Sequence, residues 1–260
     1  MTAHDMQKAA FIMGGTQGIG WATALMLADQ GTNVAVFGVE DGAESAGERA
    51  EGRAGKIIGF RGDGGSEADV KAAIAATVEQ FGRLDILVCC AAMHPYGTVT
   101  ETTPDVWHRT MAVNIGSAYL TSHFGIPHLL EAGGGAVVNV ASNQGVACNP
   151  DVAAYATSKG AVLSLTRSIA NDFAHRGIRA NSVSPGPVDT PMLRSAAALD
   201  EAGRSLDEVY DEWKLRVPNH RIAAPEEIAR VIVFLAGEGG SYCSGSNFVC
   251  DGGLIARLGF

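Results

Sequence analysis

Positive charge is in short supply in this sequence: 19 lysines and arginines against 28 acidic residues leave the 260-residue chain at a formal charge of −9. Such a surface repels phosphate backbones and anionic lipid at long range, so neither a nucleic-acid partner nor a membrane is expected. Cysteine is scarce as well. Cys89, Cys90, Cys148, Cys243 and Cys250 form no C-x-x-C pair, and an odd number leaves one over in any complete disulfide scheme. Reduced thiols in a cytoplasmic protein are therefore expected. No apolar run approaches the roughly 18 residues of a membrane span. The start, MTAHDMQKAA, lacks a basic stretch followed by an apolar one, so no export leader is expected. No Pro/Ser-rich linker, charge block or internal repeat divides the chain, which reads as a single domain over 1–260. The histidines show no H-x-x-x-H spacing, with His123 and His128 five apart, and no metal site is expected.

What is present is an alternation. Apolar runs of strand length, AAFIM, NVAVF, KIIGF, ILVCC, AVVNVAS, IRANSVS and NFVC, are separated by helical patterns over 18–30, 41–51, 66–81, 104–130, 152–176 and 225–237. The strands are apolar on both faces, as when helices cover both sides of a parallel sheet. This predicts an α/β fold: a doubly wound, mostly parallel sheet of about seven strands. Residues 187–219 mix small and polar types, and read either as a flap or as two surface helices.

The first strand runs into GGTQGIG, where Gly14, Gly18 and Gly20, with Thr16, Gln17 and Ile19 between them, lead into a helix. Glycines there let the backbone turn tightly and approach a pyrophosphate seated on the free N–H groups of the helix N-terminus. At the end of the second strand, Glu40 and Asp41 are placed to bond an adenosine ribose diol and to repel a 2′-phosphate. No Lys or Arg lies in either the glycine turn or that loop, so NAD is expected over NADP. In YATSK, Tyr155 and Lys159 are four apart and share a helix face. A tyrosine, with an unperturbed pKa near ~10, is a poor acid or base at neutral pH unless an ammonium stabilises its phenolate. Ser142 lies 13 residues before Tyr155, at the end of a strand whose carboxyl terminus lines the ligand crevice.

Together these motifs resemble the short-chain dehydrogenase/reductase family, in the same order, from about Lys8 to Gly253. The resemblance implies an Asn-Ser-Tyr-Lys set formed by Asn114, Ser142, Tyr155 and Lys159. In that set Tyr155 is the general acid/base, Lys159 holds the nicotinamide ribose and lowers the tyrosine pKa, Ser142 bonds the carbonyl, and Asn114 anchors a proton-relaying water. It further implies that Asp63, with Gly64, contacts adenine, and that the backbone of Cys90 and Ala91 lies along the cofactor. SPGPVDTPM resembles the family's nicotinamide loop, with Pro185, Gly186, Val188 and Thr190 around the carboxamide. Three departures stand out: Met13 where a threonine usually precedes the first glycine, Gly38 at the usual acidic position, and CCAA where the family carries N-N-A-G.

The resemblance implies interconversion of a secondary alcohol and a ketone by hydride transfer. The alternatives are a non-redox enzyme, or a catalytically silent nucleotide-binding regulator, on the same fold. Substrate choice falls to loops: Met93, His94 and Tyr96, then Asn143 and Gln144, then Met192. Their apolar and amide character points to a small or medium, largely uncharged alcohol, cyclic or polyol-like. Family members of this size are often homotetramers. Cys89 and Cys90 point to opposite faces of a strand, so they read as small buried hydrophobes rather than a metal or redox pair.

Overall fold

The structure, a computed structural model, describes residues 7–199 and 203–257. Seven strands form one sheet: β1 (Ala9–Met13), β2 (Asn33–Gly38), β3 (Ile57–Arg61), β4 (Ile86–Cys89), β5 (Gly135–Val140), β6 (Ile178–Pro185) and β7 (Asn247–Cys250). Their spatial order is β3-β2-β1-β4-β5-β6-β7, and every pairing is parallel. The order reverses between β1 and β4, where diverging connections leave a crevice beyond the carboxyl ends of the strands.

Alternation along the strands builds two cores. Ala10 and Ile12 of β1 face α1 (Gly18–Asp29) and α8 (Pro225–Ala236), together with Val88 and Val138. Ala9, Phe11 and Met13 face α2 (Glu67–Phe81), α4 (Ser117–Glu131) and α5 (Ala153–Phe173). Both faces being covered is why each strand reads as a continuous apolar run. The β1–β4 junction is locked by Asp85, whose Oδ2 accepts from the Ala9 N–H at 2.8 Å and from Arg83 Nε at 2.8 Å.

Two stretches differ from the sequence expectation. Residues 41–51 do not form an α-helix but a 3₁₀ coil over Ala43–Ala50, pressed so closely on β3 that a Cβ at Gly59 would lie 1.8 Å from the Ala43 carbonyl. The stretch 104–130 is not one helix either: α3 (Pro104–Met111) and α4 are joined by a π-turn over Ala112–Gly116 with Asn114 at its centre. Such widened turns cluster at functional sites, because they re-aim one side chain without ending the helix. Residues 187–219 carry two helices, α6 (Pro191–Ala197) and α7 (Leu206–Arg216), the second opened by a Ser205–Glu208 capping box. Ala197, Val209 and Tyr210 form a small core of their own with Leu193, Trp213 and Ile222.

Candidate active site

At the end of β1 the chain turns at Gly14, whose φ of +71° suits only glycine; a Cβ there would meet the Ala91 nitrogen at 2.5 Å. The N–H groups of Gly14 and Gly15 both donate to the Phe37 carbonyl, at 2.8 and 3.0 Å, tying the turn to β2. Inside α1, a Cβ at Gly20 would come within 2.1 Å of the Gly14 carbonyl, so the helix start packs directly on the turn. Gln17 at the N-cap makes no side-chain cap, and the first turn holds no acidic residue. Its N–H groups and positive dipole end are thereby suited to a pyrophosphate. Gly18 abuts Thr190, which brings the glycine turn beside the 185–190 loop.

Beyond the end of β2, Glu40 turns back onto the glycine turn. Thr16 Oγ1 donates to its Oε2, and Gln17 Nε2 donates to Oε1 at 2.6 Å. A Cβ on Gly38 would sit 2.3 Å from Glu40 Oε2. The Glu40 carboxylate thus occupies the space where a side chain at 38 would start, which makes the small residue at 38 a requirement of this arrangement. Asp41 points elsewhere and pairs with Arg61 at 2.6 Å. Two cations unreadable from the local sequence stand near this end: Arg61, and Arg49, which donates to the Thr16 carbonyl at 3.1 Å and lies 4.1 Å over the Trp21 ring. Asp63 accepts from Arg109 Nη1 at 2.7 Å and from the Gly65 N–H at 2.8 Å, and the Arg109 guanidinium holds its carboxyl below the usual range. Gly64 rests against Met13, whose buried thioether would lie 3.0 Å from a Cβ there. Met13 therefore packs where a hydroxyl would bond.

Beyond β5, Ser142 caps a short 3₁₀ turn, accepting from the Gln144 N–H at 3.1 Å, and its hydroxyl stands near the Tyr155 phenol. Tyr155 and Lys159 project from α5, 7% and 2% exposed. Burial pushes the Tyr155 phenol up, the nearby Ser142 hydroxyl opposing it, so the phenol carries its proton at neutral pH. Lys159 Nζ lies 5.8 Å from the centre of the Tyr155 ring and donates to the Val140 carbonyl at 2.8 Å. Burial brings its pKa down to about 8. Asn114 is almost wholly buried: its Oδ1 accepts from the Met93 N–H at 2.8 Å, while Nδ2 donates to the Met93 carbonyl and to Ser158 Oγ, each at 2.9 Å. The Ser158 hydroxyl in turn donates to the Tyr155 carbonyl at 2.6 Å. Both amide hydrogens of Asn114 are spent on the protein, so its side chain clamps the loop at Met93 to α5.

On that loop, the His94 ring centre is 4.1 Å from that of Tyr155 and 4.9 Å from that of Tyr96. Asn143 turns inward, its Oδ1 accepting from Ser142 Oγ at 3.4 Å, and Met192 stands 37% exposed on α6. Val188 bridges in parallel to Ala223, and Thr190 caps α6 through the Leu193 N–H at 3.4 Å. Pro185 ends β6, and Gly186 packs on Asp251. Between Val188 and Thr190 lies a residue that sequence reading passed over: Asp189, bound by both Arg194 and Tyr210. Its only sequence signal was its place inside the SPGPVDTPM run. The uncapped helix start, the glycine cradle, the Glu40 carboxylate and a buried lysine with one carbonyl partner together fit a nicotinamide dinucleotide.

A family profile described as enoyl-(acyl carrier protein) reductase matches residues 14–255. The chain belongs to the short-chain dehydrogenase/reductase family. It is 38% identical to 2-(R)-hydroxypropyl-CoM dehydrogenase of Xanthobacter autotrophicus, over 96% of this chain and all of that one. It is 33% identical to cyclohexanol dehydrogenase of an Acinetobacter species, over 96% of both chains. Among solved structures, levodione reductase superposes with a TM-score of 0.92 at 28% identity, covering 97% of this chain and 99% of that one. As a short-chain dehydrogenase/reductase, the protein is an oxidoreductase that uses a nicotinamide nucleotide and acts on CH–OH groups.

In this short-chain dehydrogenase/reductase the CCAA stretch begins at the end of β4. Cys89 is buried with the α2/α4 core, its Sγ 3.5 Å from Ser117 Oγ, while Cys90 packs with the opposite core. Both thiols are free, and burial raises their pKa values. The Cys90 N–H donates to the Met13 carbonyl at 2.8 Å, extending the β1–β4 pairing to the edge of the crevice. Among the described residues no three His, Cys, Asp or Glu side chains gather as metal ligands, and no helix is long and apolar enough to cross a membrane.

Proposed function

We propose that the protein interconverts a secondary alcohol and a ketone with NAD, Tyr155 being the general acid/base. The observation that carries this reading is a buried, protonated phenol beside the Ser142 hydroxyl, its ring centre 5.8 Å from Lys159 Nζ. A bound nicotinamide supplies or accepts the hydride. In reduction, Ser142 donates a hydrogen bond to the carbonyl oxygen, and Tyr155 Oη delivers the proton as the carbon takes the hydride. The phenolate left behind is stabilised by the Lys159 ammonium, and oxidation runs the same steps backward. Asn114 holds Met93 and, through Ser158, the backbone of Tyr155, so that the loop and the acid keep one geometry.

NAD is the cofactor this reading assigns, because Glu40 lies where a 2′-phosphate would meet it, while Arg61 is spent on Asp41 and Arg49 on Thr16 and Trp21. Asp63 and Gly64 line the adenine side. The 187–219 segment is read as the substrate flap, with the substrate in contact with Met93, His94, Tyr96, Asn143, Gln144 and Met192. Each lysine and arginine in that segment is paired: Arg194 with Asp189, Arg204 and Arg216 with Glu212, and Lys214 with Asp211. This supports an uncharged alcohol, as in cyclohexanol dehydrogenase, over an anionic thioether such as a coenzyme M adduct. Apolar side chains left on the surface, Tyr119 on α4, Phe234 on α8 and Val249 on the edge strand, support a homotetramer, which sedimentation would test.

The deciding experiment mixes protein and NADH with a panel of ketones and follows cofactor absorbance. Turnover that Tyr155→Phe abolishes supports the reading. No turnover with any ketone, or turnover that survives Tyr155→Phe, overturns it.

A further inference from the structure

The ring of Tyr155 is covered on one side by an imidazole. His94 lies against it with centroids 4.1 Å apart and planes at 50°, and Tyr96 meets His94 edge-on. The preceding residue, Met93, is pinned at both its N–H and its carbonyl by Asn114, so the backbone carrying His94 is fixed relative to α5. Its Nδ1 is buried and has no hydrogen-bond partner. Gln144 Oε1, two residues beyond Ser142, is likewise buried without a partner, and the Ser142 hydroxyl holds the Gln144 N–H. Buried polar atoms are nearly always paired, and two exceptions on residues flanking one Ser/Tyr couple call for an explanation.

Charge recognition is not that explanation. Burial and then the nearby Lys159 charge lower the His94 pKa, its own backbone pulling the other way, so the ring is neutral at pH 7. A neutral imidazole offers one donor and one acceptor, and the glutamine oxygen offers an acceptor. These are the groups that recognise a hydroxyl or a second carbonyl. A substrate with a single oxygen, bonded to Ser142 and Tyr155, would leave both unsatisfied. One carrying oxygen on the adjacent carbon would meet a ring that already touches Tyr155.

We infer that His94 determines specificity by hydrogen-bonding a second oxygen of the substrate, with Gln144 Oε1 accepting from its hydroxyl, so that the preferred substrates are vicinal hydroxyketones and diols. The inference rests on the proposed role of Tyr155 and names the substrate class of that site. His94 touches substrate in this scheme but takes no part in hydride or proton transfer.

The test separates binding from turnover. Trans-cyclohexane-1,2-diol and cyclohexanol are titrated into the NADH complex, in which alcohols cannot react, by following cofactor fluorescence. In parallel, 2-hydroxycyclohexanone and cyclohexanone are compared as substrates. Loss of one buried hydrogen bond corresponds to about tenfold. Wild type should therefore prefer the diol and the hydroxyketone by about tenfold, and His94→Phe, which keeps the ring packing, should bring that preference, read as a ratio within the variant, to near unity. Gln144→Leu should erode the same ratio, and it decides the matter if His94→Phe does not fold. Equal affinity for the two alcohols in wild type, or a preference untouched by both variants, overturns the inference. A diol preference without turnover of either ketone upholds His94 and counts against Tyr155 chemistry instead.

Discussion

The Tyr210 hydroxyl donates to Asp189 Oδ1 at 3.0 Å, joining α7 to the loop that runs between β6 and α6. The same carboxylate is gripped by Arg194 Nε and Nη2, each at 2.9 Å, and its backbone N–H donates to Ala223. Arg194 holds the Asp189 carboxyl below its usual pKa, while burial, then Asp189, raise Tyr210 to about 12. One side chain therefore ties both helices of the 187–219 segment to the loop beside Thr190.

From this it follows that Asp189→Ala loosens the segment without touching the proton-transfer groups. KM for a ketone substrate should rise by about tenfold while kcat changes little, since hydrogen bonds to a charged partner are lost. Limited proteolysis between α6 and α7 should quicken in parallel. Unchanged KM and unchanged cleavage would show that Asp189 is only a surface pair.

Lys159 is nearly fully buried and has one carbonyl partner, which makes its charge a cost to the fold. Its pKa, lowered from 10.5 to about 8, means that the folded state releases its proton first. Below about pH 8 both states are protonated and the penalty is fully present; as pH rises through about 8 toward 10.5, the unfolded chain binds more protons and stability grows. Lys159→Met should stabilise the protein by up to on the order of 3 kcal/mol at pH 7, flatten that alkaline rise, and abolish turnover. Thermal melts against pH read the first two effects, and cofactor absorbance the third. A destabilised variant would contradict the burial argument.

Glu40 governs nucleotide choice if its carboxylate meets the ribose diol. Glu40→Ala should lower the NADH-over-NADPH preference by at least about tenfold, measured as a ratio of Kd values, because repulsion of a 2′-phosphate is removed while Arg49 and Arg61 remain. An unchanged ratio would mean that the two arginines, not Glu40, set the preference.

Arg179 has no catalytic place, yet its guanidinium closes the end of α8. It donates to the carbonyls of Leu235 at 2.6 Å, Gly240 at 2.7 Å, Gly237 at 3.1 Å and Ala236 at 3.2 Å. Those of Leu235, Ala236 and Gly237 are acceptors that the helix C-terminus leaves unpaired. Arg179→Ala should cost about 2–4 kcal/mol and lower Tm by roughly 5–10 °C, with kcat preserved in the cold. A Tm within a degree of wild type would show that water replaces the guanidinium at little cost.

Some parts of the site were legible from spacing alone. Tyr155 and Lys159 meet because four residues make one helical turn, and Ser142 reaches them because it ends a strand of a doubly wound sheet. The glycine turn is read the same way, since a tight strand-to-helix corner is a property of a few consecutive residues. The 104–130 pattern marked a helix and located Asn114, but its apolar periodicity carried no sign of the π-turn, where Asn114 clamps a loop 21 residues upstream. In the sequence Glu40 is one of two acidic residues at the end of the second strand. Only the packed structure shows it folding back onto Thr16 and Gln17, over Gly38.

The sequence by itself determined the alternation of strands and helices, the glycine turn and the Ser-Tyr-Lys set, because these depend on residues within a turn or two of one another or on the end of one strand. Tertiary structure alone decided which charges neutralise each other and which polar atoms stay unspent. Arg109 meets Asp63 across 46 positions and Arg49 meets Thr16 across 33, while His94 comes to lie on Tyr155. Those meetings follow from the order and register of parallel strands and from the crossovers between them, and local periodicity contains neither.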